Sequence, residues 1–511
     1  MNHFVVLPIL LPLIAGATSL VLVRRPALTA AVNLIGCTAL LSVALRLMIE
    51  AAGDRYGVYH IGNWPAPYGI VLVSDRLSAL MLVLTAVVAL FSLLYALAGE
   101  LRRDPHFHAL FQFQLLGLNG AFLTGDLFNL FVFFEILLIA SYGLLLRGED
   151  PGPRRARAVL HYVVLNLAGS ALFLFAVGVV YAVTGTLNMA DLARKVAVIG
   201  GADIALLRSG ALLLLVVFVL KAAVLPLHVW LPAAYGSAAA SIAALFAIMT
   251  KVGVYAVLRI FTLVFGGGFG LDAGIGEWLL PLAIATMAMG GVGALAAQNL
   301  RWLVSYLMIL SVGTLLTGIA LFSQSGIEGA LYYLLHTTLI TACLYLLADM
   351  ISRHRGAFAD AIAPGVATAH AGLLGGLFLV AALAVAGLPP LSGFFGKILI
   401  LEAAADHGAV AWIWGTLLAG TLLAMIALSR AGSAIFWKAE RTTEFRPIPA
   451  LALGTITVSL LTSPALVVFL KPLHDYTAAA ALQLLTPDGY VEAVLKIPRA
   501  DQSQTVADGA P

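Results

Sequence analysis

Again and again along these 511 residues, a stretch of about twenty apolar residues continues with almost no charge in it. A helix needs about 20 such residues to cross the hydrocarbon core of a bilayer. Within that core only helices and closed barrels satisfy their own backbone. About fourteen segments meet the length, at roughly 3–23, 27–49, 77–99, 109–123, 126–146, 159–183, 210–235, 239–263, 277–297, 302–322, 327–350, 371–401, 409–432 and 449–470. None alternates polar and apolar residues as barrel strands must. The expected fold is therefore an all-α polytopic membrane protein. Charged residues make up only 10% of the chain and mean hydropathy is +1.02, against about a quarter charged in soluble domains. That excludes a soluble enzyme and a disordered chain. A net charge of +3 is too small to imply nucleic acid as a partner.

The first segment has no basic residues ahead of its apolar run, so it reads as a retained helix, not a cleaved signal peptide. Cys37 and Cys343 lie alone inside apolar runs and read as small packed hydrophobes, with no metal-ligand spacing. There is no Walker loop, no GxGxxG after a strand and no nucleophile elbow, so neither a cofactor site nor a nucleotide-driven pump is expected. The Lys and Arg residues of the connections set orientation. Fifteen of the 28 fall at one end of the segments, from Arg24 and Arg25 through the Arg154–Arg157 cluster to Arg441 and Arg446. Ten fall at the other, among them Arg46, Arg76, Arg259, Lys471, Lys496 and Arg499. The richer end is cytoplasmic by this rule, and both termini face out. Three basic residues are left inside the bilayer: Lys221, Lys251 and Lys397.

Two segments are interrupted. The seventh carries KAAVLPLHVWLP with Pro226 and Pro232, and the twelfth carries GLPPLSGFFGK with Pro389 and Pro390. Proline removes a backbone hydrogen bond and breaks a helix, and a break at membrane depth persists only where protein or water meets the freed groups. The breaks lie five segments apart, an odd number, so the two segments run in opposite directions. Broken helices related in this way mark an inverted repeat and a transport path. The expected organisation is segments 1–3 over residues 1–108, one repeat of segments 4–8 over 109–263, a second of segments 9–13 over 277–432, segment 14 over 449–470, and an extracytoplasmic tail over 471–511. One mismatch remains: Lys221 precedes its proline and Lys397 follows its pair.

Glu135 in segment 5, Lys221 in segment 7, Lys251 in segment 8, His336 in segment 11 and Lys397 after the second break all sit near mid-span. Each charge facing lipid there would cost at least roughly 2.5–3.5 kcal/mol, so they must face inward, pair, or line water. The chemistry suits proton transfer: a buried lysine releases its proton when desolvated and recaptures it beside a carboxylate. Glu135 is the only mid-span carboxylate and hence the expected partner of Lys221. Lys251, His336 and Lys397 are the expected further stations, since histidine titrates near neutral pH. His228, seven residues after Lys221, is a possible branch toward the cytoplasm. The plainer reading of each residue is a structural hydrogen bond or ion pair. Asp126, Asp349 and Glu402 fall at segment ends and read as solvated caps, and His161 as interfacial. The regularly spaced glycines read as close helix packing.

This constellation, with TGDLFNLFVFFEILLIASYGLLL, KAAVLPLHVWLPAAY and GLPPLSGFFGK, resembles the antiporter-like subunits of respiratory complex I and of Mrp-type (Pha) cation/proton antiporters, over about residues 3–470. The stretches 62–81 and 165–193 look most like the D subunits of the Mrp branch. Lys397 departs from the M-type complex I subunits, which carry Glu there, and the N-type subunit is the nearest competitor. The resemblance implies a proton-translocating module of a bacterial cell membrane, inactive alone and working beside A, B, C, E, F and G subunits. The exchange it implies is of Na⁺, or another monovalent cation, for H⁺. It implies functional roles for Glu135, Lys221, Lys251, His336 and Lys397. The competing class is a proton-pumping subunit of a quinone reductase or membrane-bound hydrogenase, and a third is a purely structural membrane subunit. One carboxylate is a poor sodium cage, so the cation path is expected in a neighbouring subunit.

Overall fold

All fourteen apolar segments fold as helix. A computed structural model describes residues 3–104, 106–148, 152–201, 203–266, 271–367, 370–438, 440–441 and 447–496. Arg446, Arg499 and the end of the expected tail, 497–511, lie outside the described residues. Segments 1–6 are α1 (Leu7–Val21), α2 (Pro26–Ala52), α3 (Arg76–Leu97), α4 (Phe107–Leu123), α5 (Leu127–Leu145) and α6 (Pro153–Thr184). A short α7 (Met189–Val196) follows. The seventh segment divides into α8 (Asp203–Lys221) and α9 (Trp230–Ser237), and the eighth into α10 (Ala240–Phe246) and α11 (Met249–Leu263). Next come α12 (Leu271–Ala296), α13 (Leu300–Ala320) and α14 (Gln324–Arg353). The twelfth segment divides into α15 (Ala371–Ala386) and α16 (Ser392–Ala403), before α17 (Val410–Gly432) and α18 (Ala450–Val468). Eleven spans among the described residues are long and apolar enough to cross a membrane.

Polar residues at the helix starts do the capping that lipid cannot. Asp75, Asp126, Asn188, Asn299 and Ser323 each accept a backbone N–H in the first turn of α3, α5, α7, α13 and α14, satisfying donors that have no partner within the helix. A short antiparallel hairpin, β1 (Gly57–His60) with β2 (Val71–Ser74), closes the same end of the bundle as the start of α3.

The α10–α11 span and α14 are buried along their length, so Lys251 and His336 ride on the two innermost elements. Glycine sets how closely the outer pairs approach. A Cβ at Gly117 would meet the Leu137 backbone nitrogen at 2.6 Å, and one at Gly120 would enter the Phe133 ring, so α4 lies directly on α5. Gly290 and Gly293 bring α12 onto Leu310 and Tyr306 of α13 in the same way. Each of these four residues stands 173 positions after its counterpart in the first pair.

Two features depart from the sequence reading. The eighth segment, expected as one helix over 239–263, is loosened at Ala247 and Ile248, which bond to carbonyls three residues back (3.2 and 3.3 Å). No proline or glycine marks that place; it is the turn ahead of Lys251. The stretch expected as a tail is also more than a tail. α19 (Leu470–Leu485) packs on α14, α3 and α11, and α20 (Asp488–Leu495) packs on α7. Leu473, Tyr476, Ala480 and Leu484 form the apolar stripe that α19 turns inward.

Candidate functional site

The two breaks have the same backbone ending. After α8, Ala223 N–H donates to Leu220 O (3.1 Å) and Val224 N–H to Val219 O (3.0 Å). After α15, Gly387 N–H donates to Ala384 O and Leu388 N–H to Leu383 O, both at 3.1 Å. This is a Schellman ending, whose left-handed residue is Ala223 (φ 59°) in one break and Gly387 (φ 72°) in the other. Those two residues are 164 positions apart, as are Pro226 and Pro390. On that register Lys221 corresponds to Val385. The Lys397 ammonium reaches back across the break to donate to Val385 O and Ala386 O (3.1 Å each) and to Thr421 Oγ1 (2.9 Å). The Lys397 ammonium thus sits at the C-terminal end of the first half-helix, where main-chain carbonyls and the helix dipole favour a cation. Lys221, the last residue of α8, sends its ammonium to α6 instead, so the two lysines differ in where the charge ends up as well as in which side of their prolines they stand.

Glu135 is half-buried on α5 and accepts a short hydrogen bond from Ser170 Oγ on α6. Lys221 donates to Asn166 Oδ1 (3.3 Å) and Asn166 O (3.4 Å), also on α6. The expected contact pair of Glu135 with Lys221 is therefore absent: α6 lies against both α5 and α8 and supplies each group with its own neutral partner. Asn166 and Ser170 escape a reading of the sequence. The signal is there, as two polar residues one turn apart in the middle of an apolar helix. A cavity of about 20 Å³ lined by Lys221, Asn166, Tyr162, Trp230, Met249 and Val252 has room for one water. It connects Lys221 to the first turn of α11.

Lys251 stands in that turn, 0% exposed, with Thr250 Oγ1 at 3.4 Å. Among the described residues no carboxylate pairs with it. His336 is buried on α14, with Nδ1 2.7 Å from Ser392 Oγ at the start of α16. A Cβ on Gly393 would come within 2.8 Å of His336 Nε2, and one on Gly387 within 3.0 Å of Lys397 Cδ, so both side chains rest on the same break. His228 lies in the non-helical stretch between α8 and α9. The break removes the shared face with Lys221 that helical spacing suggests. Its ring is buried and Nδ1 has no hydrogen-bond partner among the described residues.

Of the expected caps, Asp126 does cap α5 and Glu402 is exposed at the end of α16. Asp349 is not a solvated cap. It is buried and accepts from Arg301 Nη2 (2.9 Å), Arg353 Nε (2.7 Å) and Tyr95 OH (2.8 Å), three donors that make burial of its charge tolerable. At the opposite end Arg259 forms a bidentate pair with Asp75 (2.6 and 2.8 Å), buried beneath the Tyr255 and Tyr490 rings.

The family profile described as "NADH:quinone oxidoreductase/Mrp antiporter, TM" matches residues 124–427. The chain is 42% identical to the probable K⁺/H⁺ antiporter D subunit of Rhizobium meliloti, covering 98% of this chain and 99% of the relative. It is 37% identical to the Na⁺/H⁺ antiporter D subunit of Alkalihalophilus pseudofirmus, covering 97% and 100%. Among solved structures it resembles a chain of the Mrp complex from Dietzia sp. at TM-score 0.87 and 26% identity, covering 97% and 100%. A chain of the membrane-bound sulfane sulfur reductase, an archaeal respiratory membrane complex, fits at TM-score 0.87 and 26% identity, covering 96% and 99%.

Proposed function

Since this chain belongs to the NADH:quinone oxidoreductase/Mrp antiporter membrane family, among relatives named as antiporter D subunits, we propose that it is the proton-translocating subunit of a multisubunit monovalent cation/H⁺ antiporter. The carrying observation is the set of three buried lysines, Lys221, Lys251 and Lys397, whose hydrogen bonds among the described residues go to neutral oxygens. An ammonium held by neutral acceptors can release its proton without leaving a counter-charge stranded. Glu135, Lys221, Lys251, His336 and Lys397 form the relay, with Glu135 biasing Lys221 and the loosened turn at Ala247–Ile248 giving Lys251 freedom to swing. Segments 4–8 and 9–13 are the two inverted units, an assignment supported by the recurrence of the Gly117/Gly120 packing at Gly290/Gly293. His228 is a side branch. The protein sits in a bacterial cell membrane with both termini outside, beside A, B, C, E, F and G subunits. The exchanged cation is sodium or another monovalent ion such as potassium, and it crosses a neighbouring subunit.

The test is cation-driven proton flux in vesicles carrying the assembled complex. Lys221→Ala and Glu135→Ala are expected to abolish it. Wild-type flux in both variants would leave this chain a structural role only. The second reading, a proton-pumping subunit of a complex I-like quinone reductase or hydrogenase, draws on the equally good fit to the sulfane sulfur reductase chain. Partners that co-purify discriminate: small membrane proteins alone favour the antiporter, iron–sulfur or flavin subunits the enzyme.

A further inference from the structure

His336 and Lys397 lie at the break between α15 and α16, well below the face that α19 covers. A series of polar groups runs from that face toward them. At the mouth His474 Nε2 is 2.6 Å from Glu328 Oε1, with the imidazole 43% and the carboxylate 12% exposed. Glu328, Tyr332 and His336 occupy positions i, i+4 and i+8 of α14, one face of the helix over about 12 Å of its axis. Tyr332 is buried and its hydroxyl donates to Leu466 O (3.2 Å), among the last carbonyls of α18. Three residues earlier on α18, Ser463 Oγ is 2.8 Å from Ser392 Oγ, which is 2.7 Å from His336 Nδ1. Both serines are buried.

A hydroxyl is acceptor and donor at once, so hydroxyls in series can pass a proton without any of them holding a charge. Ser463 Oγ also accepts the Ser392 backbone N–H (3.3 Å) at the start of α16, but that bond needs neither the Ser392 hydroxyl nor the Tyr332 hydroxyl, where alanine and phenylalanine would fill the same space without burying polar atoms.

We propose that the Glu328–His474 pair is the proton-collecting site on the face poorer in basic residues, and that Tyr332, Ser463 and Ser392 carry its proton to His336. The proposal rests on the relay reading above. A proton from bulk water binds the pair at the mouth. The pair gives that proton to the Tyr332 oxygen as the Tyr332 hydroxyl turns away from Leu466 O and gives its own to Ser463; Ser463 gives its own to Ser392, and Ser392 gives its own to His336 Nδ1. The imidazolium so formed passes one proton to an unprotonated Lys397. No bond other than O–H and N–H changes. The charged groups facing Glu328 are His474 and Asp475 from α19 and Glu402 from α16, a net acidic mouth that concentrates cations from the adjoining water.

The test uses the intact complex in vesicles of both orientations, with pH varied on the α19 face while the other is held fixed. Glu328→Gln should raise at least tenfold the proton concentration needed on that face for half-maximal exchange. It should leave the dependence on the other face unchanged, and Glu328→Asp should restore the wild-type dependence. His474→Gln, at a half-exposed position that does not endanger folding, should move the same midpoint the same way by less, and decides the matter if Glu328→Gln does not assemble. Wild-type dependence on the α19 face, or a drop in maximal rate alone, would overturn the proposal. Lys221→Ala in the same membranes separates the two readings. Activity there sinks the relay as a whole, whereas its loss beside an unaltered Glu328→Gln profile sinks only the collecting site.

Discussion

Asn166 and Ser170 stand one turn apart on α6, and each holds a different member of the Glu135–Lys221 couple. The helix between them is thus a latch for the separated state of two opposite charges. Ser170→Ala releases Glu135, and Asn166→Ala withdraws a side-chain acceptor from Lys221. A hydrogen bond to a charged group contributes about 1.5–3 kcal/mol, and the backbone oxygen of Asn166 retains part of it. Each variant should therefore slow cation-driven proton flux by roughly tenfold, about 1.4 kcal/mol. Ser170→Thr, which keeps the hydroxyl, should stay near wild type.

Glu135→Gln should change the shape of the pH profile as well as its height. A carboxylate nearby favours the protonated ammonium, so a neutral amide makes Lys221 surrender its proton at lower pH. The activity profile should shift toward acid. Flux measured across pH in assembled complex checks this, and a profile merely scaled down would count against coupling between the two residues.

Gly393 lets the second break fold against His336. An added methyl would lie 2.8 Å from His336 Nε2 and collide with Ala384 O, so Gly393→Ala must displace the imidazole or the break. Exchange should fall by at least tenfold although no titratable group is removed. At Gly376, on the same segment, a methyl meets nothing within 4 Å, and Gly376→Ala should transport normally in the same vesicle assay.

The Asp75–Arg259 pair holds the fold, and transport depends on it only through the fold. Arg259→Met strands a buried carboxylate and should cost about 3–5 kcal/mol, read as a lower melting midpoint of the purified complex. Adding Asp75→Leu should recover most of that. The remainder is the lost cap of α3, worth about 1 kcal/mol.

The bundle is legible because lipid imposes a length and a composition that apolar runs display openly. Both breaks are legible because Pro226, Pro389 and Pro390 announce them. What escapes are features written in ordinary residues. Asn166 and Ser170 look like tolerated polar residues until α6 is seen wedged between α5 and α8. The loosened turn at Ala247–Ile248 has no breaker, because tertiary packing and not local propensity bends it. Asp349 reads as a solvated cap, since its three donors come from α3, α13 and α14 and only one is local. The α19 stripe of Leu473, Tyr476, Ala480 and Leu484 is visible at helical spacing, but it lies beyond the last membrane span, where length and hydropathy give no guide. The missing contact between Glu135 and Lys221 shows the limit most clearly: sequence supplies the charges, and a third helix decides whether they touch.

Lys251 gives the sharpest test of the claim that this chain moves protons. It is fully buried, and among the described residues its ammonium bonds only to Thr250. If it were merely structural, Lys251→Met would replace an unpaired buried charge by an apolar side chain of similar length and cost nothing. The measurement is cation-driven proton flux together with the melting midpoint, on assembled complex carrying Lys251→Met. The relay predicts flux lost with the midpoint unchanged or raised; wild-type flux at an unchanged or raised midpoint would contradict it.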